Sequence, residues 1–157
     1  MPRPKSLALE DIAAAALAIA DRDGLPAVSM RTVAEELGVG TMSLYRYVTD
    51  REHLETLVVD LVLSTIDTTL PPRLGWRARL TMLVERAREA MIAHPAIVPL
   101  LLVHRSSSKH STRWGEAMMR VLADADFTGA RRVIAFRTVL AYLIGALQLS
   151  QLGPLAG

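Results

Sequence analysis

Between Thr41 and Tyr47 the chain reads T-M-S-L-Y-R-Y, and six of these seven side chains carry groups suited to nucleic acid. The guanidinium of Arg46 can bond a guanine edge or a phosphate. The hydroxyls of Thr41 and Ser43 bond bases or phosphates, and the Met42 side chain offers apolar contact to a thymine methyl. The chain has three tyrosines, and two of them, Tyr45 and Tyr47, flank Arg46. Burial of Leu44 would leave Tyr45 exposed beside arginine, a pairing suited to gripping a phosphate. Tyr47 either shares that role or packs against the neighbouring helices.

Such side chains read DNA only when a rigid element presents them, and the flanking sequence supplies one. The stretch Ser29 to Leu57 predicts two short helices, 30–37 and 41–47, joined through Leu37-Gly38-Val39-Gly40. That is the turn length of a helix-turn-helix, in which glycine permits a sharp crossing. Val33, Leu37, Val39, Leu44 and Val48 would pin both helices to a first helix over 9–23. That helix carries an apolar stripe of Ile12, Ala15, Ala16, Ile19 and Ala20, with Glu10 and Asp11 in its first turn, where the macrodipole favours acids. Ser29 is a good N-cap for the second helix.

The rest of the chain is also helical, with no convincing period-two strand. Asp50 caps a fourth helix running to about 70, and Pro71, Pro72 and Gly75 then break the chain. Further helices are expected at 76–94, 96–104, 114–123 and 129–151, with 105–112 as a flexible polar loop. The fold class is therefore all-α, with a helix-turn-helix head over 1–50, a connecting helix over 51–70 and a helical regulatory and dimerisation domain over 71–157.

Composition narrows the function. The 157 residues carry a net charge of only +2, and the first fifty-one hold six Lys/Arg against seven Asp/Glu. Segregation matters more than the sum: the bases cluster on the tail and around one helix, the acids on two others. Arg3 and Lys5 either add phosphate contacts or form a disordered basic terminus. Cysteine is absent, which removes disulfides, thiol nucleophiles and thiolate metal sites and fits a reducing cytoplasm. No signal peptide is visible, and the longest uninterrupted apolar runs fall short of the ~18 residues of a membrane span. His53, His94, His104 and His110 lack metal-ligand spacing, Ser106 to Ser108 form no nucleophile elbow, and no phosphate-cradling loop occurs. No cofactor, membrane partner or enzymatic activity is expected.

The residues 29–57 resemble the DNA-binding domain of the tetracycline-repressor (TetR) family. The L-G-V turn and Leu44-Tyr45-Arg46-Tyr47-Val48 carry the likeness, with Asp50-Arg51-Glu52 at the start of the fourth helix. The resemblance implies that Thr41, Met42, Ser43 and Arg46 face the major groove and that Arg31 reaches a base or phosphate. It implies that Tyr45, Tyr47 and Arg51 hold the DNA backbone. It further implies a ligand-responsive repressor that binds a palindromic operator in double-stranded DNA as a homodimer. Gly40 departs from the family's frequent Ser cap and weakens the start of the third helix.

The same family implies a small-molecule site in the second domain. Met82, Leu83, Leu100, Trp114 and Met118 are candidate lining, though residues at such spacing also serve as ordinary core. Arg86 and His104 are candidate polar contacts. Where tetracycline-binding members have polar and histidine ligands, this chain has Leu83 and Leu101, so a more apolar effector is expected, or none. The eighth helix is apolar on nearly every face from Val133 to Leu149, which demands burial on both sides. A second copy packed on Phe136, Leu140, Ile144 and Leu147 satisfies that demand, as would a central position in a monomeric core. Family members usually add one more C-terminal helix; none is expected before Gly157, which makes the chain either a short variant or incomplete. A helical adaptor that has lost DNA binding is the alternative function.

Overall fold

The computed structural model describes residues 7–151; Arg3 and Lys5 lie outside them. The described residues form eight α-helices and three short 3₁₀ turns, with no strand among them. Helix α1, Leu9–Asp23, buries Ile12, Ala16, Ile19 and Ala20, and Gly24 closes it by turning to φ 86°. Helix α2, Met30–Glu36, starts at Ser29, whose hydroxyl accepts the Thr32 N–H. It ends where Gly38, at φ 65°, lets the Gly38 and Val39 N–H groups return to the carbonyls of Glu35 and Ala34. A Cβ at that left-handed position would be strained, so the sharp turn requires glycine.

Helix α3, Thr41–Leu44, is a single turn, shorter than the 41–47 expected from the sequence. Gly40 offers no side-chain cap, and Tyr47 continues through a tighter bond to the Leu44 carbonyl. Helix α4, Arg51–Ser64, also stops early. The Ser64 and Thr65 hydroxyls turn back to the carbonyls of Leu61 and Val62, and the Thr69 N–H donates to Asp67. Short hydroxyl and carboxylate side chains thus compete with the backbone for the helix's own bonds.

Helices α5, Trp76–Ile92, α6, Val98–His104, α7, Lys109–Asp124, and α8, Gly129–Gln151, complete the chain. The expected flexible loop at 105–112 is a correction. After a 3₁₀ turn at Arg105–Ser107, Ser108 caps α7 by accepting from the N–H groups of His110 and Ser111. The polar residues that suggest a loop are the cap and the wet side of an amphipathic helix. One continuous apolar cluster runs from Ile12 through α4 to Leu143 and Leu147.

Helix α8, at twenty-three residues, is the longest of the eight. By length and composition it is apolar enough to cross a membrane, which a count of uninterrupted runs overlooks. Only 11% of that segment is fully buried within this chain, Leu143 and Leu147 among it, while Phe136, Val139 and Leu140 pack partly against the core.

At the head of α4, Asp50 accepts the His53 N–H at 2.8 Å. That bond, above the hydroxyl of Thr49, holds the Asp50 carboxyl below its ordinary value of 3.8. A carboxylate so depressed stabilises the fold above its unfolded value, and this contribution fades as pH falls through the folded one. Asp50→Asn keeps a capping oxygen but not the charge. Its melting temperature should lie below that of the parent at pH 7, with the gap closing below about pH 4. A gap independent of pH in thermal scans would refute the charged cap.

Candidate functional site

The head presents one turn of exposed chemistry over two buried anchors. Leu44 and Val48 are fully buried, whereas Met42 is 79% and Tyr45 46% exposed. Tyr47, at 36%, also reaches solvent, and Arg46 is exposed with no ion pair or hydrogen bond to its guanidinium among the described residues. Thr41 and Ser43 are half-buried on the same turn. Val33 is fully buried beneath them, and Leu37 and Val39 pack partly against the core. Arg31 projects from α2 with only a loose approach to Glu35, 3.9 Å away. Arg51, at the start of α4, bonds Glu55 at 2.7 Å. The head therefore gathers a free guanidinium, two phenols, two hydroxyls and a thioether around one short helix.

Helix α4 joins this head to the rest through polar contacts as well as apolar ones. The second carboxylate oxygen of Glu55 lies 3.1 Å from His104 Nε2, and Thr56 lies within 3.3 Å of its other ring nitrogen. Asp60 accepts a 2.6 Å bond from the Ser108 hydroxyl and approaches His110 at 3.7 Å. Asp21 of α1 meets His94 at 2.7 Å. Each of these histidines, from the C-terminal half, faces a carboxylate on α1 or α4.

A cleft opens between α4, α5, α6, α7 and α8, with about 60 Å³ of interior volume. Leu63 of α4 and Ile66 just beyond its end form one wall, Leu101 and Leu102 of α6 another, and Trp114 of α7 a third. Leu140, Leu143, Ile144 and Leu147 close it from α8. Its polar lining is confined to Arg105, Ser111 and Gln148.

Of the seven candidate ligand residues, only Trp114 lines this cleft, with its indole N–H held by the Leu83 carbonyl at 3.0 Å. Leu83 and Met118 are fully buried core, Leu100 is buried elsewhere, and Met82 is half-buried outside the lining. Arg86 instead clamps the segment after α4, donating to the carbonyls of Asp67 and Thr69. His104 is spent on Glu55 and Thr56.

Of the four residues assigned to a partner seam, Leu147 is buried in this chain and Phe136, Leu140 and Ile144 are half-buried. Phe136 leans on Trp114 with centroids 6.3 Å apart, and Leu140 and Ile144 line the cleft. The most exposed apolar residues of α8 lie on a different stripe: Ile134, Tyr142 and Leu149, each more than 60% exposed. The lining residues overlooked in the sequence come chiefly from α4, α5, α6 and α8. A helix apolar on all sides carries no phase to separate its inner from its outer stripe.

An all-helical chain with a helix-turn-helix head and a separate helical bundle defines a class of bacterial regulator, and comparison with known proteins agrees. Residues 12–54 match the bacterial regulatory proteins of the tetR family, and residues 69–153 match the tetracyclin repressor-like C-terminal domain. The chain belongs to the tetR family. It is 33% identical over 148 residues to the HTH-type transcriptional repressor DrrR1 of Streptomyces coeruleorubidus, covering 92% of this chain and 54% of that one. It thus spans little more than half the length of that curated relative. A structure of BioQ with its double-stranded DNA operator superposes with a TM-score of 0.83 at 28% identity, covering 95% of this chain and 90% of that one. Streptomyces coelicolor ActR in complex with actinorhodin shares the fold at a TM-score of 0.85 and 24% identity, covering 94% and 69%.

Proposed function

We propose that this chain is a ligand-responsive transcriptional repressor that binds a palindromic operator as a homodimer. The carrying observation is the exposure of Met42, Tyr45 and Arg46 on one turn whose Leu44 is fully buried. The division into a head over 1–50, a connecting helix over 51–70 and a regulatory and dimerisation domain over 71–157 follows the positions of Asp50 and the proline break. In this reading Thr41, Met42, Ser43 and Arg46 meet base edges, with Arg31 at a base or phosphate. Tyr45, Tyr47 and Arg51 hold phosphates. The protein works in the cytoplasm and has no catalytic role.

A small, largely apolar effector entering the cleft supplies the regulation. With about 60 Å³ inside, the cleft admits such a molecule only if its walls part. Two of those walls are α4 and α6, and α4 carries the head. Displacement there re-aims both heads of the dimer, whose successive major grooves lie about 34–36 Å apart. An effector acting this way lowers operator affinity by a coupling free energy of roughly 1–3 kcal/mol.

Binding to the DNA beside the chain's own gene, measured across salt concentrations, tests the head. Tyr45→Phe should weaken all sequences alike, as loss of a phosphate contact does. Arg46→Ala should cost about 1–3 kcal/mol on the preferred site and relax preference at one base pair. Loss of a phosphate contact alone would instead make the salt slope shallower by about one unit. Unchanged affinity in both variants would remove α3 as the reading element and favour an adaptor that docks proteins through the same head.

A further inference from the structure

The cleft's charge pattern narrows what it binds. Its interior walls are aliphatic apart from Trp114, and no acidic side chain lines it. The three polar groups gather among its more exposed residues: Arg105 and Gln148 are exposed and Ser111 half-buried. Arg105 donates to the Leu102 carbonyl near the end of α6 and has no carboxylate partner among the described residues. The side chains of Ser111 and Gln148 make no hydrogen bond among the described residues either. Three groups with unused bonding capacity therefore rim an otherwise apolar cleft.

The surrounding sequence reinforces one sign of charge. From Arg105 to Arg113 the chain reads R-S-S-S-K-H-S-T-R, with Lys109 between the two arginines and no acid. The nearest acid that the fold brings to this segment, Asp60, is engaged by Ser108 and His110. Ser111 sits in the first turn of the sixteen-residue α7, where the macrodipole also favours an anion. A neutral apolar effector would leave this rim unused. A cationic one would meet a positive field.

We infer that the effector is an amphipathic monoanion: an apolar body buried between α4 and α8, carrying one carboxylate-type group that Arg105 holds at the mouth with Ser111 and Gln148. This rests on reading the cleft as the effector site, and it adds the chemical class of the ligand.

Trp114 provides the measurement. The chain has two tryptophans, and Trp76→Phe leaves Trp114 as the reporter inside the cleft. The probes are decanoate, decanol and decylamine, which share one apolar tail and differ in head-group charge. All are titrated below their aggregation concentrations against Trp114 emission. Decanoate should bind about tenfold or more tighter than the other two, as expected for one charge-assisted hydrogen bond. Arg105→Gln should bring decanoate down to the level of decanol and leave decanol unchanged.

Should Trp76→Phe disturb folding, the rise in melting temperature of the unaltered chain with each probe gives the same ranking. Equal binding of decanoate and decanol, or a preference for decanoate that survives Arg105→Gln, overturns the anionic class while leaving the effector site standing. If no probe shifts either Trp114 emission or the melting temperature, the effector site itself fails.

Discussion

Replacing Ile134 and Tyr142 by glutamate should convert a dimer into a folded monomer. The two side chains are 63% and 69% exposed and lie, with Leu149, on one stripe of α8 pointing away from the protomer's core. Positions 134, 138, 142, 145 and 149 fall within less than a quarter turn of one another at 3.6 residues per turn. Phe136, Leu140, Leu143 and Leu147 fall on the opposite side. A second copy laid along the outward stripe would bury it, and twofold symmetry would then place four glutamates from the double variant in the seam. An unpaired buried charge costs several kcal/mol, so dissociation should strengthen by about four orders of magnitude or more. Sedimentation should show a dimer for the parent at tens of micromolar and a helical monomer for the variant. Leu147→Glu serves as the contrast, since its charge enters the protomer's own core and should unfold it. A monomeric parent would end the idea, as would a dimeric double variant.

Leu44→Ala should have the second large effect, on the head. Leu44 is fully buried and is the one residue of the four-residue α3 that is. Truncating a buried leucine costs about 2–5 kcal/mol through lost transfer and the cavity left behind. A single helical turn has no stability of its own to offset that loss. The variant should lose the ordered arrangement of Met42, Tyr45 and Arg46 and bind no DNA sequence with preference. Met42→Ala, two residues earlier and 79% exposed, should change stability by no more than about 0.5 kcal/mol. Urea denaturation of both proteins checks the contrast. Comparable losses in the two would mean that α3 is not hung from Leu44.

Much of this head is legible in the sequence because its signals are local. The apolar stripe and closing Gly24 mark α1, Ser29 and Gly38 bracket α2, and the spacing of Leu44 and Val48 places the anchors under α3. The second half is less legible, for two physical reasons. Ser108 caps α7, but in the sequence it stands in a polar run whose composition suits a loop equally well. Only the bond to Asp60, forty-eight residues away, distinguishes the two. Helix α8 has apolar stripes on both sides, so periodicity identifies the helix without saying which stripe meets α7 and which meets solvent. For that reason the periodicity does not reveal that Leu147 belongs to the protomer's own core. The cleft inherits the same ambiguity, since four of its walls are built by residues far apart in the chain.

The pairing of His94, His104 and His110 with Asp21, Glu55 and Asp60 bears on how such a protein can be rebuilt. Helix-turn-helix heads invite exchange, one head being grafted onto another regulatory body to change the operator. In this chain the place of the cut decides what is carried across. A graft ending at Asp50 keeps Glu55 and Asp60 with their histidines but brings a foreign residue to face His94. A graft ending after α4 replaces all three carboxylates and leaves buried His104 without its partner. A working chimera here therefore transplants the head up to Asp50 and restores one aspartate at position 21.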